Sequence, residues 1–169
     1  FRVDPDIVTT AKGIADGFPL GACTAREDIG DAFEAGDHLS TFGGNPVSCA
    51  AALANIEYML KEKLPQKAAD KGRYLMKRLN EMKEDHNIIG EVRGKGLIIG
   101  VELVKDQKAR TPAAEETVRI RDQCREKGVL VGHGGVKGNV IRIQPPLIIN
   151  KQEMDTVLQT LDESLKKSK

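Results

Sequence analysis

The chain has 169 residues, with 26 Lys+Arg against 25 Asp+Glu and a net charge of +1. That near-balance excludes a strongly basic nucleic-acid binder and an acidic solvating tail, and 4% aromatic residues leave little on which to stack bases. No run of about 18 apolar residues occurs, so no membrane span is expected, and the opening Phe1-Arg2-Val3-Asp4-Pro5 lacks the charged start and long apolar stretch of a signal peptide.

Residues 6–24 read as two short apolar strands, around Ile7-Val8 and Leu20-Gly21-Ala22-Cys23. Between them, Gly13, Gly17 and Pro19 predict a tight, ordered loop rather than a helix. A short helix is expected over 25–37, with Ile29, Ala32 and Phe33 on one side. Asn45-Pro46 then forms an N-cap and first-position pair for a helix whose start, Ala50-Ala51-Ala52, is small enough to pack closely on another element.

Residues 66–86 show the clearest helical periodicity: Ala68, Ala69, Gly72, Leu75, Met76, Leu79 and Met82 recur at three- and four-residue steps. The methionines in that stripe belong to a core. Residues 88–104 read as a hairpin turning at Gly94-Lys95-Gly96. Thr111-Pro112 is expected to cap a helix that Gly128 stops near Lys127, and strands are expected around 129–132 and 139–143. The last helix carries the strongest start signal: Asn150 as N-cap, Glu153 three residues on, and Ile149 with Met154 as a hydrophobic staple. Its buried stripe is Met154, Val157, Leu158, Leu161 and Leu165, and Lys166-Lys167-Ser168-Lys169 suits its C-terminus.

Several chemistries lack their residues. Cys23, Cys49 and Cys124 are widely spaced and form no Cys-x-x-Cys pair, so they are expected to be buried or partly buried reduced thiols of a cytoplasmic protein. His38, His86 and His133 are scattered, so no metal site is expected. Gly94-Lys95-Gly96 is followed by a strand rather than a phosphate-binding helix, and Gly132-His133-Gly134-Gly135 lacks dinucleotide spacing; both read as turns.

Lys12 stands apart from the other lysines, flanked by Val8-Thr9-Thr10-Ala11 and Gly13-Ile14-Ala15. At the end of a buried strand its amine would lose hydration, which favours the neutral form that Schiff-base chemistry with an aldehyde needs. A snorkelling lysine is the plainer reading, and composition alone favours it.

The segment Pro5-Asp6-Ile7-Val8-Thr9-Thr10-Ala11-Lys12-Gly13, followed by Gly17-Phe18-Pro19-Leu20-Gly21-Ala22, resembles the cofactor-lysine region of class III aminotransferases, pyridoxal-phosphate enzymes of fold type I. Three further segments resemble the same family in order: Ser40-Thr41-Phe42-Gly43-Gly44-Asn45-Pro46, Arg93-Gly94-Lys95-Gly96-Leu97, and Val140-Ile141-Arg142-Ile143-Gln144-Pro145-Pro146-Leu147. Together they cover the whole chain.

The resemblance implies roles residue by residue. Lys12 is catalytic: it forms the Schiff base with pyridoxal 5'-phosphate and then moves the proton between the substrate Cα and the cofactor's C4′. Thr41, with Ser40 nearby, holds the cofactor phosphate across a homodimer interface, beside a glycine turn and helix start that suit an anion. Arg142 grips the substrate carboxylate; read without the family, Arg142 is a surface ion pair and Thr41 as readily a turn residue. Arg93 and Lys95 are structural.

The resemblance also implies an α/β fold, with the end of a large cofactor-binding domain and linking helix over 1–58 and a small C-terminal domain with an antiparallel sheet over 59–169. The reaction implied passes an amino group between an amino acid (4-aminobutyrate, alanine or N-acetylornithine) and a 2-oxo acid. The family's ring-nitrogen aspartate, glycine-serine phosphate loop and ring-covering aromatic lie upstream of the matched region, so the chain reads as a C-terminal fragment, inactive alone. A non-catalytic C-terminal interaction module is the alternative.

Overall fold

The computed structural model describes residues 3–167; Ser168 and Lys169 of the expected lysine-rich end lie outside them. Contacts divide the chain into two compact units, one through Lys63 and one from Leu64.

In the first unit, β1 (Ile7–Ala11) and β2 (Gly21–Ala25) pair antiparallel, with Ile7 opposite Ala25 and Ala11 opposite Gly21. The loop between them opens in a single 3-10 turn over Lys12–Ile14. The buried strand expected before Lys12 is not found: all five residues of β1 are exposed, because among the described residues β1 has one neighbouring strand and makes a two-stranded ribbon. The helix expected over 25–37 is one turn, α1 (Glu27–Gly30). Phe33 is exposed, so no apolar face holds further turns, and the Asp37 carboxylate instead accepts from the Glu34 amide. Helix α2 (Pro46–Lys61) starts as its sequence dictates: Asn45 Oδ1 accepts from the Ser48 amide at 2.9 Å, and Pro46 occupies a position that needs no N–H. It runs unbroken through positions 58 and 59. Cys23 is exposed rather than buried, because it lies on β2 of the same uncovered ribbon; Cys49 is half-buried and Cys124 buried.

The second unit holds α3 (Leu64–Asp85), β3 (Ile89–Lys95), β4 (Ile98–Leu103), α4 (Ala114–Glu126), β5 (Gly132–Gly134), β6 (Val140–Ile143) and α5 (Lys151–Lys166). The four strands form one antiparallel sheet in the order β3-β4-β6-β5. Helices α3 and α4 contact the sheet, and α5 packs on both helices. Alternation fixes the register: Ile99, Val101, Leu103, Ile141 and Ile143 enter the core with Leu75, Leu79, Ile120, Leu158 and Leu161. Burying each such side chain stabilises by about 1.5–3 kcal/mol. Met76 and Met82 pack against this core, as core methionines should.

Helix α5 carries a complete capping box: Asn150 Oδ1 accepts from the Glu153 amide at 2.9 Å, and Glu153 Oε2 accepts from the Asn150 amide at 2.8 Å. Thr111 does not cap α4. The chain stays extended there, with Lys105 N donating to Thr111 O and Val104 bridging Pro112, so the helix begins two residues later. Gly128 ends α4 as expected, at φ +82°. Its amide bonds Arg125 O and the Val129 amide bonds Cys124 O, a Schellman motif that absorbs residue 129 and delays β5 to Gly132. The stretch Gly132-His133-Gly134, expected as a turn, is therefore the edge strand, and the turn follows at Gly135. Among the described residues no helix is long and apolar enough to cross a membrane, and no group of His, Cys, Asp or Glu could hold a metal ion.

Candidate active site

Lys12 directly follows β1, at the start of the 3-10 turn, with φ +54°. An L-residue holds that conformation at a cost of about 1–2 kcal/mol, so its surroundings must impose it. Ala15, only 1% exposed, anchors the turn, and the turn packs against α2. The Lys12 side chain is exposed at a depression of about 520 Å³ lined by Gly13, Asp16, Gly17, Phe18, Pro19 and Leu20. The first unit by itself does not supply the desolvation expected for this amine. Among the described residues no carboxylate pairs with it. Sequence reasoning missed Asn55, whose amide donates to Gly13 O at 2.8 Å and Ile14 O at 3.1 Å. Forty-two residues separate Asn55 from Gly13, so no local signal announces the pair.

Ser40 and Thr41 stand exposed on the turn that leads into α2. Gly43 N bonds Ser40 O at 3.3 Å and Asn45 N bonds Phe42 O at 3.3 Å. Gly44 takes φ +65°, and a methyl group on Gly43 would fall 2.9 Å from Ser40 Cβ, so both glycines are required by the turn. Two hydroxyls on the turn that leads into the N-terminus of a sixteen-residue helix are donors of a kind that fits a phosphate. Among the described residues no hydrogen bond joins Lys12 to Ser40 or Thr41.

Arg142 belongs to the second unit. Its neighbours Ile141 and Ile143 enter the core, so Arg142 projects from the sheet face opposite the helices and is exposed. Its cross-strand partners are Gly100 on β4 and Gly132 on β5, and Gly100 is in turn opposite Arg93 on β3. Arg93, Gly100, Arg142 and Gly132 thus form one row across this face, and Arg93 and Arg142 border a depression of about 270 Å³ with Ile98, Val140 and Gln144. The two guanidinium groups differ in what holds them. Arg93 Nη1 donates to Glu91 Oε2 at 2.8 Å and Glu102 Oε2 at 2.7 Å, while Arg110 Nη2 reaches Glu102 Oε1 at 3.2 Å. The Arg93 guanidinium, helped by Arg110 and opposed by partial burial, holds the Glu102 carboxyl below its ordinary range. Arg93 is thus held by two carboxylates of its own sheet. Arg142 has no carboxylate within 4.0 Å among the described residues, so the surface ion pair that its sequence also allowed is not formed. After β6, Lys71 Nζ donates to Leu147 O at 2.9 Å and pins the segment that follows Pro145-Pro146.

Comparison with known proteins gives these features a family. The class-III aminotransferase profile matches residues 1–165. A mitochondrial alanine–glyoxylate aminotransferase 2 homologue of Arabidopsis thaliana is 50% identical over 98% of the chain and 35% of its own length. The acetylornithine aminotransferase of Methanothermobacter thermautotrophicus is 44% identical over 95% of the chain and 38% of its own. An amine transaminase from an uncultivated Pseudomonas species, solved in its pyridoxal-phosphate-bound form, superposes with a TM-score of 0.89 at 38% identity, covering 98% of this chain and 39% of that one. The chain belongs to the class-III aminotransferase family, whose enzymes are dependent on pyridoxal phosphate. Its α/β fold is the C-terminal part of a fold type I enzyme, and it spans little more than a third of the length of these relatives.

Proposed function

We propose that the chain forms the lysine-bearing and carboxylate-binding part of an aminotransferase that passes an amino group from an amino acid to a 2-oxo acid. The observation that carries the reading is Lys12: an exposed amine, unpaired among the described residues, on a turn held in a left-handed conformation at a concave surface. In this reading Lys12 Nζ would hold the cofactor through its aldehyde carbon, with loss of water, and, once displaced by the substrate's amine, would as a free amine carry the proton between the substrate Cα and C4′. Pyridoxal phosphate, when bound, supplies the electron sink that makes that proton removable. The Thr41 hydroxyl, with Ser40 beside it, holds the phosphate of the partner subunit's cofactor in a homodimer. Arg142 orients the substrate through its carboxylate. Within this scheme residues 1–58 complete the large domain and 59–169 form the small one. 4-Aminobutyrate, alanine and N-acetylornithine are the donors to try first, and the three unpaired cysteines suit a reducing compartment such as the cytoplasm.

The first unit exposes Phe18, Phe33, Leu39, Phe42 and Leu53. Apolar side chains left open in this density support packing against the rest of a longer polypeptide and a second copy, and the 169-residue chain is then inactive by itself. The test is amino transfer from each donor to pyruvate or glyoxylate, run on the full-length polypeptide that carries this chain. The proposal expects turnover that Lys12→Ala lowers by at least about 10³-fold. Undiminished turnover in Lys12→Ala would refute it.

A further inference from the structure

We propose that Asn55 is the positioning residue for Lys12, an inference that rests on reading Lys12 as the cofactor-binding lysine. The lysine turn has little bonding of its own. Its internal closure, Ala15 N to Lys12 O, is long at 3.4 Å. Lys12 at φ +54° is in a conformation its side chain disfavours. Among the described residues, the side-chain hydrogen bonds that reach the turn from outside come from one amide: Asn55 Nδ2 donates to the two carbonyls directly after Lys12, Gly13 O and Ile14 O. Both partners are acceptors, which fixes the amide with nitrogen toward the turn.

Helix α2 is built to present that amide. Ala51, Asn55 and Tyr58 fall at i, i+4 and i+7, one helix face, and they border a depression shared with Ala15, Asp16 and Phe18. The small side chain at Ala51 leaves the helix room to approach the turn, and Ala15 is buried there. A rigid helix therefore sets both the left-handed turn and the direction in which the Lys12 side chain leaves it. Without the two hydrogen bonds the turn relaxes to conformations that aim the amine elsewhere.

The test uses the full-length polypeptide that carries this chain, freed of cofactor and mixed with pyridoxal phosphate. Borohydride is added at timed intervals, and modification is counted at Lys12 and at surface lysines. Asn55→Leu keeps the side-chain size and removes both donors; Asn55→Asp puts an acceptor against two carbonyls. Both variants are expected to label Lys12 at least about fivefold more slowly than the parent, since each loses two hydrogen bonds and one net hydrogen bond alone takes about that factor from an equilibrium. Surface labelling and melting temperature stay near the parent's, and the pH midpoint of the bound chromophore's absorbance moves. Equal Lys12 labelling in parent and variants overturns the role of Asn55 and leaves the reading of Lys12 intact. No label on Lys12 in the parent overturns that reading, and this role with it. A variant that loses melting temperature and labels all lysines alike shows a structural prop, which also overturns the role.

Discussion

Arg142 lies across Gly132, its cross-strand partner on the edge strand: a methyl group at position 132 would stand 3.2 Å from both Nε and Nη2 of the guanidinium. The same addition at Gly134 would stand 3.5 Å from Nε, an ordinary contact. The edge strand is thus bare where the arginine crosses it. Gly132→Ala is expected to shift the guanidinium by a few tenths of an ångström and raise KM for a carboxylate-bearing donor about three- to tenfold relative to a carboxylate-free amine. Gly134→Ala should have the smaller effect. Steady-state kinetics on the full-length polypeptide checks the order, and equal effects at the two positions would contradict it.

Gly72 on α3 meets the hairpin turn at Gly96, where a Cβ would collide with the Gly96 carbonyl. Two effects oppose each other in Gly72→Ala. Helix propensity favours alanine by about 1 kcal/mol. The collision is with backbone in a turn at φ +56°, which cannot swing aside as a side chain would, and overpacking of that kind costs about 1–3 kcal/mol or more. The collision wins, so a lower urea midpoint is expected. A raised midpoint would show that the two elements separate freely.

Glu102 gives the second unit an acid-sensitive contact. Its carboxyl is depressed below the ordinary value of 4.5, by Arg93 first and Arg110 after. The unfolded chain therefore binds the proton more readily, and stability rises with pH through this window. The contribution is complete above the ordinary glutamate range and disappears as pH falls below it through the lower folded value. Glu102→Gln should cost about 1–2 kcal/mol at neutral pH and flatten the acid limb of a melting-temperature profile. An unchanged acid limb would assign the acid sensitivity elsewhere.

Elements governed by short-range rules were legible in the sequence. The capping box of α5, the Asn45-Pro46 start of α2, the 3.6-residue stripe of α3 and the β3–β4 hairpin each depend on residues within a few positions of one another. The misreadings came where distant partners decide. A strand at 129 was pre-empted by the end of α4, where the Val129 amide bonds Cys124 O, and Thr111 was held extended by Lys105. Burial of the strand before Lys12 depends on what covers it, which the sequence of β1 does not specify. The candidate residues Lys12, Ser40, Thr41 and Arg142 came from the resemblance of the segments that hold them to class III aminotransferases; without it Lys12 reads as a snorkelling lysine and Arg142 as a surface ion pair. Asn55 and Gly132 were not, because each matters through a contact that only folding brings about. The buried His86, with Nε2 at 2.7 Å from Asp162, was missed for the same reason: 76 residues separate the two.

The central claim is that Lys12 carries the cofactor, and peptide mapping after borohydride reduction tests it most directly. The full-length polypeptide that carries this chain is incubated with pyridoxal phosphate, reduced and digested, and each lysine is scored for the added mass. The account predicts a single stoichiometric modification at Lys12, abolished by Lys12→Ala. Modification of another lysine with Lys12 left free would contradict it.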